Sequence, residues 1–253
     1  MVTGIDLFRQ RFERFADRYV LIGGAACECH FAAAGVDFRA TKDLDIVICV
    51  ESLDAEFVDV LRGFIHDGGY RSQETSTGER RFHRFKKPSA PGYPAMLELF
   101  STIPDVIAGA GGHLTPIRLD DESSGLSAIL LDVEWYRWIR QGIQLVDGLS
   151  VVGPLHLIAL KAGAWNDLRA RRDRGEEVDG SDIKKHRNDV FRLLAILDPE
   201  LAISPPHVIA EAVATFIRDI VADPPSDLRP FSLGAMTLDE ARRRMRAAFR
   251  LGD

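Results

Sequence analysis

Cysteine is scarce in this chain. Three residues of 253, Cys27, Cys29 and Cys49, argue against a disulfide framework. Cys27, Cys29 and His30 also lack a second ligand pair at the spacing a zinc site needs. Long apolar runs are lacking as well, and none approaches the roughly 20 residues that span a bilayer. The first stretch, MVTGIDLFRQRFERFADRY, mixes charged and apolar groups and carries no signal-peptide core. Internal repeats and low-complexity segments are missing. So is a surplus of positive charge: the net charge is −6, with a pI near 5.7. That balance argues against a broad nucleic-acid-binding surface, though not against a local one. The expectation is a cytoplasmic protein without membrane contact, built as one large domain or two modest ones.

The hydrophobic content of 46% is ordinary for a packed core. Residues 5–18 read as an amphipathic helix, with Ile5, Phe8, Phe12 and Phe15 at helical spacing. Tyr19–Ile22 is a buried strand broken by Gly23–Gly24, and Ala25–Ala34 reads as a small-residue helix ended by Gly35. Asp45–Val50 and Ala95–Phe100 read as strands, Asp54–Asp67 as a helix. Leu126–Leu131 reads as a strand and Val133–Gln141 as a short helix. The character changes at Gly153–Pro154. Helices are expected from Leu155 to about Arg172, over Asp182–Leu197 and Pro206–Ala222, and after the capping box Thr237-Leu-Asp-Glu240. The fold class is therefore α/β (α+β): a mixed-sheet core over residues 1–152, then a helical domain over 153–253.

Chemistry concentrates in DLDIVI. Residues i and i+2 of a strand share a face, so Asp43 and Asp45 point the same way. Two carboxylates so close repel, and a divalent cation with a preference for oxygen removes the repulsion. The alternative is a solvated strand start. Glu98 in MLELF is flanked by Leu97 and Leu99, and an unpaired charge there is costly. A metal shared with Asp43 and Asp45 would pair it; the alternative is a glutamate facing solvent. Gly23 and Gly24, between strand and helix, let the backbone approach a phosphate at a helix N-terminus, or simply make a tight turn. Two basic clusters, Arg80–Lys87 (RRFHRFKK) and Arg169–Arg174 (RARRDR), are polyanion contacts or solvated faces. Trp135 and Trp165 read as packing residues, and His186 as an exposed helix histidine. Asp182, Lys185 and Asp189 share a helix face, with Lys185–Asp189 a surface pair.

The order strand–Gly-Gly–helix, Asp-x-Asp on a strand, then a strand acid resembles the nucleotidyltransferase superfamily that includes DNA polymerase β. The residues are Ile22–Gly24, Asp43–Ile48 and Leu97–Leu99, with a somewhat long spacer through Phe38–Thr41. LIALKAGAWNDL and DIKKHRNDVFRLL look like helices of the AbiEii-type branch, which contains many toxins of toxin–antitoxin pairs. The likeness runs over roughly residues 19–197, and the last 55 or so residues carry no such motif.

The resemblance implies transfer of a nucleoside monophosphate from an NTP, with release of pyrophosphate. Asp43 and Asp45 would hold two Mg²⁺ ions, and Glu98 would complete the site or accept the proton. Gly23 and Gly24 would meet the phosphates, with Lys42 and Arg39 beside them. Lys161 and Asp189 match the family's lysine and aspartate that face the nucleotide; in an otherwise apolar stretch, Lys161 would alternatively snorkel. The acceptor stays open between RNA, including a tRNA end, or a protein, with an antitoxin partner, and a small molecule of the aminoglycoside kind. A non-catalytic nucleotide- or partner-binding relative is the third reading.

Overall fold

The computed structural model describes residues 2–52, 54–72, 82–100, 133–234 and 236–252. They form two compact units. The first holds the described residues up to 100 together with 143–153, the second holds 133–142 and 154–252. The chain thus enters the second unit once before its main stretch, through a helix placed N-terminal to the expected break.

In the first unit, α1 (Ile5–Phe12) tightens into a 3₁₀ turn at Glu13–Phe15, so the expected helix over 5–18 ends early. Ile5, Phe8, Phe12 and Phe15 are buried, as their spacing requires. Phe8 stacks on Phe12 at 4.3 Å, and Phe12 meets Phe57 and Phe64 edge-on at 5.7 and 5.6 Å. Phe57 and Phe64 belong to α3 (Ala55–Asp67), capped by the Asp54 carboxylate, which accepts from Phe57 N–H at 2.9 Å. Burial of such a ring stabilises by about 2–3 kcal/mol. At the surface an Arg11–Asp67 ion pair joins α1 to α3, and an Arg14–Glu56 pair joins the 3₁₀ turn to α3.

Among the described residues, seven strands make one mixed sheet. They are β1 (Tyr19–Ile22), β2 (Asp43–Ile48), β3 (Arg71–Ser72), β4 (Phe82–Lys86), β5 (Met96–Phe100), β6 (Ile143–Val146) and β7 (Leu149–Val152), in the order β3-β4-β5-β2-β1-β7-β6. β2 lies antiparallel to β1 and parallel to β5; β1 lies parallel to β7. β1 is buried along its whole length, and so are the apolar residues Leu44, Ile46, Val47 and Ile48 of β2. α2 (Gly23–Ala33) follows β1 directly and begins at the glycines rather than after them. The β6–β7 hairpin turns at Asp147–Gly148, both at positive φ (48° and 76°). That is the backbone a two-residue type I′ turn demands, and Asp-Gly is its strongest sequence signal. The expected strand at Leu126–Leu131 lies outside the described residues.

The second unit is helical: α4 (Val133–Gln141), α5 (Pro154–Asp173), α6 (Gly180–Ile196), α7 (His207–Asp219) and α8 (Leu238–Ala248). The α8 capping box is complete: Thr237 N–H donates to Glu240 at 2.7 Å, and Glu240 N–H donates to Thr237 Oγ1 at 3.2 Å. Trp165 is buried edge-on against Phe216 at 5.0 Å, and Trp135 is buried too, so both tryptophans pack. No helix among the described residues is long and apolar enough to cross a membrane.

Candidate active site

β2 sits at the centre of the sheet, and its start carries the acidic residues. The strand begins at Asp43, two residues earlier than its apolar pattern predicts, so both aspartates are within it. Asp43 and Asp45 are half-buried, whereas Val47, next on their face, is buried. The face is therefore open at the strand's start and closed further along.

Parallel pairing places Asp45 opposite Glu98 and Asp43 opposite Met96. Registered partners on adjacent strands lie about 5 Å apart and on one face. Asp43, Asp45 and Glu98 thus share a face of the sheet. Glu98 is only 4% exposed, so it is not a solvent-facing strand glutamate.

The partner of Glu98 was not foreseen. Arg84 of β4, in antiparallel register with Glu98, donates through Nε to Oε1 at 2.5 Å. Both side chains are buried. Burial of an unpaired carboxylate is costly, and a guanidinium on the neighbouring strand removes that cost. Arg84 belongs to the RRFHRFKK cluster. There it is no solvated charge, whereas Lys86 is half-buried and Lys87 exposed; Arg80 and Arg81 lie outside the described residues. The available signal was a single arginine inside a strand-like Phe-x-x-Phe stretch opposite a strand with a single buried acid.

β1 delivers the glycines to the same strand start. Ile22 is registered with Asp45, so the chain turns into α2 beside that carboxylate. Gly23 has φ +65°, and a Cβ there would fall 1.7 Å from Asp45 Oδ2. A Cβ on Gly24 would fall 2.6 Å from Thr41 Oγ1. The glycines accordingly let Asp45 and Thr41 press against the first turn of α2, where unsatisfied N–H groups carry partial positive charge. Lys42 is exposed at the same end of β2, and Arg39 lies over the Phe38 ring at 5.0 Å.

Two carboxylates at an open strand start, a third in register and helix N–H groups beside them are oxygen chemistry that fits a divalent cation. As the side chains stand, no three His, Cys, Asp or Glu groups among the described residues are gathered tightly enough to hold one. The Arg84 bond gives the reason for Glu98.

In the second unit, Lys161 and Asp189 are buried together. Lys161 is 1% and Asp189 0% exposed, with Nζ 3.3 Å from Oδ2. Arg192 adds a second cation to Asp189 at 3.1 Å. Lys161 therefore does not snorkel. Lys185 reaches Asp182 at 3.9 Å, not Asp189, because α6 becomes progressively buried along its length and Asp189 faces inward. His186 is buried rather than exposed, lying with Ile183, Arg187 and Val190 on the inward stripe of α6. The Arg169–Arg174 cluster is largely engaged: Arg171 and Arg174 both bind Glu176 at 2.7 Å, and Arg169 lies 4.5 Å over the Trp165 ring.

No protein-family model and no curated protein matches the chain. Among solved structures, an antigenic nucleotidyltransferase-like protein from Paracoccidioides brasiliensis is similar over 97% of this chain and 94% of its own, with 15% identity and a TM-score of 0.42. A likeness of that degree bears on neither substrate nor chemistry.

Proposed function

We propose that the protein is a metal-dependent nucleotidyltransferase that moves a nucleoside monophosphate from an NTP to an acceptor. One observation carries the reading: Asp43, Asp45 and Glu98 share a sheet face beside the Gly23–Gly24 start of α2. Asp43 and Asp45 are the residues that would hold Mg²⁺. Bound there, the ions supply neutralisation of the triphosphate and a lowered pKa for the acceptor hydroxyl. The N–H groups at Gly23 and Gly24 stand ready for phosphate oxygens, with Lys42 near them. Glu98 completes the oxygen set or takes the acceptor's proton. The acceptor oxygen bonds to the α-phosphorus, and pyrophosphate leaves. For Lys161 and Asp189 a role toward nucleotide rests on the resemblance alone, since the two are buried and neutralise each other.

For the acceptor we propose RNA, including a tRNA end, or a protein, as a toxin with an antitoxin partner would modify. Incubation of the chain with each α-labelled NTP, Mg²⁺ and separate pools of RNA, protein or small metabolites tests this. Label in RNA or protein that Asp45→Asn abolishes supports it, label in the small-molecule pool redirects it to the aminoglycoside kind, and no label in any pool sinks transfer. A second reading, a non-catalytic nucleotide-binding relative, is favoured by the engagement of Glu98 with Arg84. It is separated by nucleotide binding without label transfer.

A further inference from the structure

Arg84, bonded to Glu98, is a residue of the carboxylate face to which the proposed chemistry gives no role. Resting on the metal reading above, we infer that Arg84 is the internal counter-cation of this site and sets its affinity for a divalent ion. In the structure as it stands the guanidinium satisfies Glu98 at 2.5 Å, between buried side chains. A cation held by Asp43 and Asp45 gains Glu98 as a third oxygen ligand only by taking it from Arg84. The register allows this, because Asp45 and Glu98 are direct neighbours across β2 and β5 while Arg84 approaches Glu98 from β4 on the far side. Glu98 stands between two competing cations, one built in and one from solution.

The test is Mn²⁺ binding to the full chain, read from the loss of the free-ion signal in electron paramagnetic resonance. Arg84→Gln removes the competitor, and the Mn²⁺ affinity should rise by about tenfold or more, the worth of a charged hydrogen bond. Glu98→Gln, which does not depend on Arg84→Gln folding, should weaken Mn²⁺ binding. A purely structural pair would change the melting temperature in both variants and leave Mn²⁺ affinity where it was, which overturns the inference while the metal reading stands. Mn²⁺ binding that Asp43→Asn with Asp45→Asn leaves untouched overturns the metal reading and this inference with it.

Discussion

Gly23 shows how closely one position ties backbone to chemistry. Its φ of +65° is costly for any residue with a Cβ, and that Cβ would overlap the Asp45 carboxylate. Gly23→Ala should therefore lose about 1–3 kcal/mol in a denaturant melt and displace Asp45 as well; unchanged stability would contradict the geometry. His156 makes a second, independent case. It is buried, with its ring 4.1 Å from Trp138, and burial pushes its imidazole down to about 4 from 6.5. Between those values the unfolded chain binds a proton that the folded chain refuses. Stability is then full above about pH 6.5 and falls as the pH drops towards 4, by up to about 3 kcal/mol. Burial lowers His30 as well, and it acts with the same sign. Other groups also titrate in acid, so the readout is a difference: His156→Phe should flatten the loss of stability between pH 7 and 4.5. Equal slopes in the two proteins would reject the assignment.

Helices α5 and α6 join through charge as well as apolar packing. Lys161 sits among Leu157, Ile158, Leu160 and Ala164, all buried, and only Asp189 on α6 makes that position tolerable for an ammonium group. Lys161→Met should cost roughly 2–4 kcal/mol, at the lower end for a broken buried pair because Asp189 keeps Arg192. Adding Asp189→Leu should recover much of that loss, and a double variant worse than the single one would show that the pair contributes more than mutual neutralisation. Most elements were legible from periodicity and caps: the buried phenylalanines of α1, the Asp54 cap of α3, the capping box of α8. The hairpin of β6 and β7 was legible too, in its Asp-Gly turn, yet it was overlooked because its strands are only four residues each. Shared-face placement of Asp43 and Asp45 follows from a period of two within one strand. Pairing of Glu98 with Arg84 and of Lys161 with Asp189 depends on register between elements, which no local pattern encodes. His186 was misplaced for a related reason: the pattern of α6 locates a stripe, but the depth of that stripe is set by what packs on it.

The chain carries a net charge of −6, so any divalent cation will gather around it diffusely and screen its self-repulsion. A specific site must be distinguished from that background, and the two depend differently on salt. Diffuse screening by Mg²⁺ fades when about 0.15 M monovalent salt already shortens the Debye length to about 8 Å, whereas coordination by Asp43 and Asp45 persists. Coordination at tenfold excess over its dissociation constant stabilises by about 1.4 kcal/mol, a shift of about 2–4 °C for a chain of this size. With two units the melt need not be a single transition, and the shift belongs to the one that unfolds the sheet. Asp43→Asn with Asp45→Asn removes two like charges held two residues apart on one face. The metal-free variant should be at least as stable as the parent, since functional sites often sacrifice stability for activity. Its Mg²⁺-induced shift in 0.15 M KCl should vanish, and label transfer from an NTP should vanish with it, because nothing then neutralises the triphosphate. A variant that keeps the parent's full shift under those conditions would return Asp43 and Asp45 to the status of a solvated strand start.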